Sequence, residues 1–193
     1  MNFDEVLQTR RSIRSYRDEK VPHEVLEELI KSVQYSPSWK NQQTTRFYVL
    51  ESKESMDQMR NGPLAPFNAK RTMLASNYII VTFVKDVVGF NDDGQPTNEL
   101  GNGWGCYDAG IATQSLVLKA KDLGLGTLIM GIRDAAALRK NFNIPKTEQI
   151  VAVIAVGYGE TAKAWSSEDA KGFIKVTSTA LRAYYLAHPD EER

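Results

Sequence analysis

The sequence predicts one domain of mixed α and β elements, and three observations predict it. Four runs rich in β-branched and aromatic residues, "RFYVLE", "NYIIVTFVK", "LGTLIMG" and "QIVAVIAVGYG", are separated by stretches with helical spacing. No repeat, low-complexity tract or Pro/Gly/Ser linker divides the chain. Its 193 residues, 42% of them hydrophobic, are enough for one full-sized core, so residues 1–193 read as a single unit.

In chain order, a short helix is expected at about Phe3 to Thr9. Pro22 opens a second, in which Val25, Leu26, Leu29, Ile30 and Val33 recur at helical spacing until "SPS" at Ser36–Ser38 ends it. The strand run from Arg46 to Glu51 follows, and then "SKESMDQMR", with Ser52 as its cap. After "NYIIVTFVK" the chain turns polar and Gly-rich from Asp86 to Gly105, long for a connection in a compact domain and suited to a lid. The longest helix is expected over "YDAGIATQSLVLKAKDLG", apolar over more than half its girth and stopped by Gly124, hence central and buried. The nearly unbroken apolar run "QIVAVIAVGYG" belongs in the middle of a sheet.

Composition excludes several function classes. Lys plus Arg and Asp plus Glu are 24 each, so no global field draws in nucleic acid or a membrane surface, and any anion recognition must be local. The single Cys106 forbids an intramolecular disulfide framework, and His23 and His188 stand too far apart for a metal-ligand pattern, so no metal is expected. With no signal-peptide core in "MNFDEVLQTRRS" and no long apolar run, a soluble cytoplasmic protein is expected. Cys106 reads as a small core residue, "NDDGQ" as a turn around Gly94 and not a calcium loop, and "GLGTLIMG" lacks the spacing of a dinucleotide-binding turn.

The local cluster is "TRRSIRSYRDEKVP", with Arg10, Arg11, Arg14 and Arg17 in eight positions. Guanidinium groups beside the Ser12 hydroxyl are phosphate-binding tools, although a solvated basic face has the same composition. In "SPSWKNQQTTRFYVL", Asn41 and Gln43 sit in a loop between helix and strand behind a proline turn.

Together, Arg-x-Ser-x-Arg near the start and Pro-Ser-x-x-Asn-x-Gln about 25 residues on resemble the nitroreductase family of flavin enzymes. "NAKRTMLASNYIIV" is similar to the family segment in which an Asn and a basic residue precede a helix and strand. "DAGIATQSLVLKAKDLGLGTLIMG" is similar to its central helix and flavin-facing strand. The resemblance, over about residues 5 to 160, implies an α+β, three-layer α/β/α fold with a central, mostly antiparallel sheet flanked by helices. It also implies a homodimer in which the C-terminal arm is exchanged and FMN lies at the interface.

By that resemblance, Arg10, Arg11 and Ser12 would hold the FMN phosphate, while Arg14, Asn68 and Arg71 would reach the pyrimidine side of its ring. Pro37, Ser38, Trp39, Asn41 and Gln43 match the loop that reaches the flavin from the other subunit. Met130 and Gly131 match the place where backbone approaches flavin N5 and O4, and Lys171 or Lys175 would complete the phosphate site. The implied activity is hydride transfer from NADH or NADPH through FMN to a nitroaromatic, quinone or similar small acceptor, by a ping-pong cycle. Cationic side chains over the N1–O2 edge would stabilise reduced flavin, and the cofactor carries the chemistry, so no acid, base or nucleophile triad is needed. Trp39 and Trp104 are candidates for the acceptor pocket. The alternatives are specialised family chemistry, such as flavin-dependent dehalogenation, and a non-enzymatic flavin-binding protein. The apolar C-terminal stretch around Leu181, Tyr184 and Tyr185 is expected to dock on the partner subunit.

Overall fold

A computed structural model describes residues 1–160. Helix α1 (Phe3–Thr9) begins with a reciprocal capping box between Asn2 and Glu5. Helix α2 (His23–Val33) starts behind Pro22 and buries Leu26 and Leu29. It ends three residues before Ser36, and a short 3-10 turn (Trp39–Asn41) leads into strand β1 (Thr45–Leu50). Helix α3 (Lys53–Arg60) has the expected cap, the Ser52 hydroxyl accepting from the Ser55 amide.

Helix α4 (Pro66–Arg71) carries Asn68 and Arg71 inside it, where the sequence reading had them ahead of a helix. Pro66 at its first turn, with φ preset and no amide to leave unbonded, is the physical reason the helix starts there. Strand β2 (Asn77–Val84) is followed by helix α5 (Gly103–Asp122), strand β3 (Gly126–Met130), helix α6 (Ala135–Asn141) and strand β4 (Glu148–Gly157).

The four strands pair in the order β1-β2-β4-β3, every pair antiparallel. One sheet face packs against α3 and α6 through Met56, Met59 and Leu138, and the other against α2 and α5 through Leu26, Leu29, Leu116 and Val117. This is the expected α+β sandwich of three layers. β2 and β4, the inner strands, are buried almost throughout, as their unbroken apolar runs require.

α5 begins four residues earlier than the sequence suggested. "GNGWG" reads as loop because it is Gly-rich, yet its last glycine lets the helix touch the sheet: a Cβ on Gly105 would come within 2.2 Å of the Phe83 ring. Its other end closes as expected, with Gly124 at φ 78°, its amide donating to Lys121 O and that of Leu125 to Ala120 O. The polar connection is therefore shorter, and the Asn91 amide donates to Gln95 O across the expected turn at Gly94. Cys106 is exposed on the first turns of α5 and not a core residue, because that position faces away from the sheet that Gly105 touches. No helix among the described residues is long and apolar enough to cross a membrane. Lys171, Lys175 and the C-terminal stretch around Leu181 lie outside the described residues.

Candidate functional site

The arginine segment is held by main-chain bonds on both sides. The Ile13 amide donates to Thr127 O of β3 at 2.9 Å, and the Arg17 amide donates to Tyr158 O at 2.9 Å, just past β4. Two glycines make room: a Cβ on Gly126 or Gly159 would come within 2.7 or 2.8 Å of the Ile13 side chain. Tyr16 is buried beneath, its hydroxyl donating to Ile13 O, and burial pushes that hydroxyl well above the ordinary tyrosine range. The backbone from Ser12 to Arg17 is thus a fixed ledge, with Ile13 and Tyr16 packed on the core and Ser12, Arg14, Ser15 and Arg17 exposed.

The four arginines separate into two roles. Arg17 pairs with Glu19 at 3.3 Å and lies over the Tyr158 ring. Arg10, Arg11 and Arg14 face no carboxylate among the described residues. Arg11 donates through Nη1 to Gln8 O and Arg10 O, which fixes its guanidinium, yet its buried Nε has no acceptor among the described residues. Arg14 donates to Ser12 O at 3.0 Å. Three uncompensated cations, an orphaned donor and an exposed Ser12 hydroxyl have the chemistry to take an anion with several oxygens.

β3 carries this ledge toward Met130 and Gly131. The Met130 side chain is 3% exposed and points into the core, so only its backbone can face a ligand. Gly131 is exposed, and a Cβ there would meet nothing within 4 Å. α4 and the turn before it are tied to the same place: the Asp134 amide donates to Pro63 O, and buried Asn68 of α4 reaches Ile132 O through Nδ2 at 3.4 Å. Arg71 is exposed and lies over the Phe67 ring at 5.4 Å. Arg10, Arg11, Ser12 and Arg14 at the start of β3, and Asn68, Met130 and Gly131 at its end, therefore belong to one edge of the sheet.

Pro37, Ser38, Trp39, Asn41 and Gln43 belong to the other edge, because their loop feeds β1. Lys40, Asn41 and Gln43 all have positive φ (48°, 56° and 51°), a conformation that non-glycine residues hold only when their surroundings fix it. Ser38 Oγ accepts from the Gln43 amide at 3.0 Å, Gln43 Nε2 donates to Asn41 Oδ1, and Ser36 bonds Ser115 of α5. The Trp39 ring lies 4.4 Å from that of Trp104, which meets Tyr107 edge-on and donates from Nε1 to Asn98. Beside this loop is an open cleft of about 520 Å3 lined by Pro37, Ser38, Gln43, Phe47 and Asp108 among others.

The two groups are three strand spacings apart, roughly 14 Å, and no hydrogen bond or ion pair among the described residues joins them. Sequence reasoning missed Asp108, 3% exposed, whose carboxylate accepts from the Trp39 amide at 3.0 Å. The available signal was an acidic residue on the otherwise apolar stripe of the longest helix. Cys106 stands on the same turns, but partial burial pushes its thiol up, the wrong direction for a nucleophile.

Residues 7–158 match the model of the nitroreductase family. A curated protein named FMN reductase [NAD(P)H] from Bacillus subtilis is 31% identical over 134 residues, which are 65% of this chain and 52% of that protein. Among solved structures, a nitroreductase family protein from Clostridium difficile 630 is 27% identical with a TM-score of 0.70, covering 89% of this chain and 91% of its own. An FMN-dependent nitroreductase from Clostridium difficile R20291 is also 27% identical, with a TM-score of 0.65, covering 86% of this chain and 93% of its own.

Proposed function

The chain belongs to the nitroreductase family, and from that premise we propose that it is an FMN-dependent oxidoreductase that oxidises NADH or NADPH and reduces a small acceptor such as a nitroaromatic or quinone. The observation that carries this reading is the ledge of Arg10, Arg11, Ser12 and Arg14 on β3, three cations without a described carboxylate and one buried Nε without an acceptor. A phosphate monoester has the charge and the oxygens this set lacks. The open backbone at Gly131, at the far end of the same strand, suits the close approach of a flat ring system.

Bound FMN would supply the hydride chemistry, taking two electrons from the nicotinamide and passing them to the acceptor. Around it, Arg10, Arg11 and Ser12 would hold the phosphate, while Arg14 and Arg71 would place positive charge at the edge where reduction builds negative charge. Asn68, fixed through Ile132 O, would orient the same edge. The Met130–Gly131 backbone would lie beneath the ring.

The separation of the two residue groups on opposite sheet edges supports a homodimer in which the Pro37–Gln43 loop of one chain closes on the flavin held by the other's arginines. A ping-pong cycle would follow from such a site, since donor and acceptor would use one ring face in turn.

The test is the visible spectrum of the purified protein under anaerobic conditions, before and after NADH or NADPH. A flavin spectrum that bleaches, and returns on adding a quinone or a nitroaromatic, supports the reading. Protein that is colourless and cannot be loaded with FMN refutes it, and flavin that neither nucleotide bleaches would leave a binding protein and no reductase.

A further inference from the structure

We propose that Asp108 is the positioning residue of the Ser38–Gln43 loop, holding it in the shape that meets the flavin; the inference rests on the role given to that loop above. Asp108 is 3% exposed on α5, where its neighbours on the buried stripe are Ala109, Ala112 and Leu116. It has no cationic partner among the described ion pairs. A buried carboxylate costs free energy that an alanine there would not. What it offers in return is one charge-assisted bond: Oδ2 accepts from the Trp39 amide at 3.0 Å.

That bond falls where the loop most needs it. Lys40, Asn41 and Gln43 hold positive φ directly after Trp39, conformations that relax unless the flanking chain is fixed. α5 fixes it at three places on one face: Trp104 under the Trp39 ring, Asp108 at the Trp39 amide and Ser115 at the Ser36 hydroxyl. The ring contact is tilted by 47° and the hydroxyl pair is neutral, so the carboxylate is the strongest of the three. Asp108 also lines the cleft beside Pro37, Ser38 and Gln43. Without the carboxylate, residues 39–43 are free to fall back to ordinary dihedrals, which takes the Trp39 ring off Trp104 and moves Asn41 and Gln43.

The experiment compares wild type, Asp108→Asn and Asp108→Ala as full-length chains. In flavin-free protein, the far-ultraviolet circular-dichroism couplet from the Trp39–Trp104 pair, assigned with Trp39→Phe, reports the loop directly. In loaded protein, FMN affinity is read by flavin fluorescence, and kcat and KM by NADH oxidation with benzoquinone. Asparagine keeps an acceptor oxygen, so Asp108→Asn should retain the couplet and stay within about threefold of wild type. Asp108→Ala should lose the couplet and lose FMN affinity or kcat by about tenfold to a hundredfold, the scale of a small misplacement at a reacting centre. Should the alanine variant not fold, Asp108→Thr, closer in volume and too short to reach, makes the same comparison.

A couplet intact in Asp108→Ala overturns the proposal. So does a lost couplet with unchanged affinity and kcat, or an asparagine variant as damaged as the alanine one. A wild-type protein that binds no FMN overturns the flavin reading itself, whereas failure of this inference alone leaves a wild type that binds FMN.

Discussion

Replacing Gly131 by alanine should move two properties of the protein in opposite directions. Gly131 follows β3, lacks a left-handed φ, and a Cβ there would meet no atom within 4 Å. The methyl group therefore costs nothing in the flavin-free fold. By narrowing the unfolded ensemble it adds about 0.4–1 kcal/mol of stability. For a chain of this size that is a rise in melting temperature of about 1–4 °C. The same methyl group would stand in the space proposed for the approach of the flavin ring to the backbone. Losing one backbone hydrogen bond and the close contact around it costs about 1.5–3 kcal/mol, or roughly 10- to 150-fold in FMN affinity. Thermal scans with and without a fixed excess of FMN read both effects: the flavin-free midpoint rises, and the FMN-induced shift shrinks by ~1.5 kcal/mol or more. An FMN-induced shift equal to that of wild type would refute the placement of the ring at Gly131. A fall in the flavin-free midpoint would refute the claim that the space is open.

Three further outcomes follow from particular contacts. Gly105→Ala should destabilise by about 1–3 kcal/mol in urea titrations, because its Cβ collides with a Phe83 ring that is 1% exposed, whereas Gly110→Ala on the same helix has open space and should gain about 0.8–1 kcal/mol; equal effects would refute the packing argument. Arg14→Ala should leave the fold intact and lower the midpoint potential of bound flavin by about 20–40 mV, equivalent to ~1–2 kcal/mol for a two-electron couple, and an unchanged potential in spectroelectrochemistry would remove Arg14 from the ring edge. His23 is held above its ordinary value of 6.5 by the hydrogen bond and charge of Glu51, so its contribution is fully present below that value and is lost as pH rises through the raised one. The stability gap between wild type and His23→Gln should therefore narrow as pH rises across that window, and a gap that widens would reverse the sign.

Much of the fold was legible because patterns with a mechanism were present. Ser52 before a helical run, Gly124 after a long one and four β-rich runs correspond to elements found almost to the residue. Short elements were not legible: α4 has six residues and α6 seven, too few for an apolar period to repeat, and their ends are set by Pro66 and by the Asp134 side chain. The start of α5 was misread because glycine density signals a turn locally, while the use of Gly105 is tertiary, to let Phe83 in. At the candidate site the residue types could be named from their chemistry and from the family they resemble. Their division between two edges of a sheet could not, since strand order is a property of long-range pairing. Asp108 was hidden for the same reason, its meaning lying in an amide sixty-nine positions away.

The ledge from Ser12 to Arg17 carries a consequence for how the protein is made. Its partners are Thr127, Tyr158 and Gly159, so side chains among the first to leave the ribosome wait for the last two described strands before they have anything to rest on. Until β4 emerges and pairs, three bare cations travel on an unanchored N-terminal strip, open to any polyanion in the surroundings. If this strip is where the cofactor phosphate binds, its receptor would be completed only by chain closure, and cofactor capture would then be a late event that reports on pairing of the sheet.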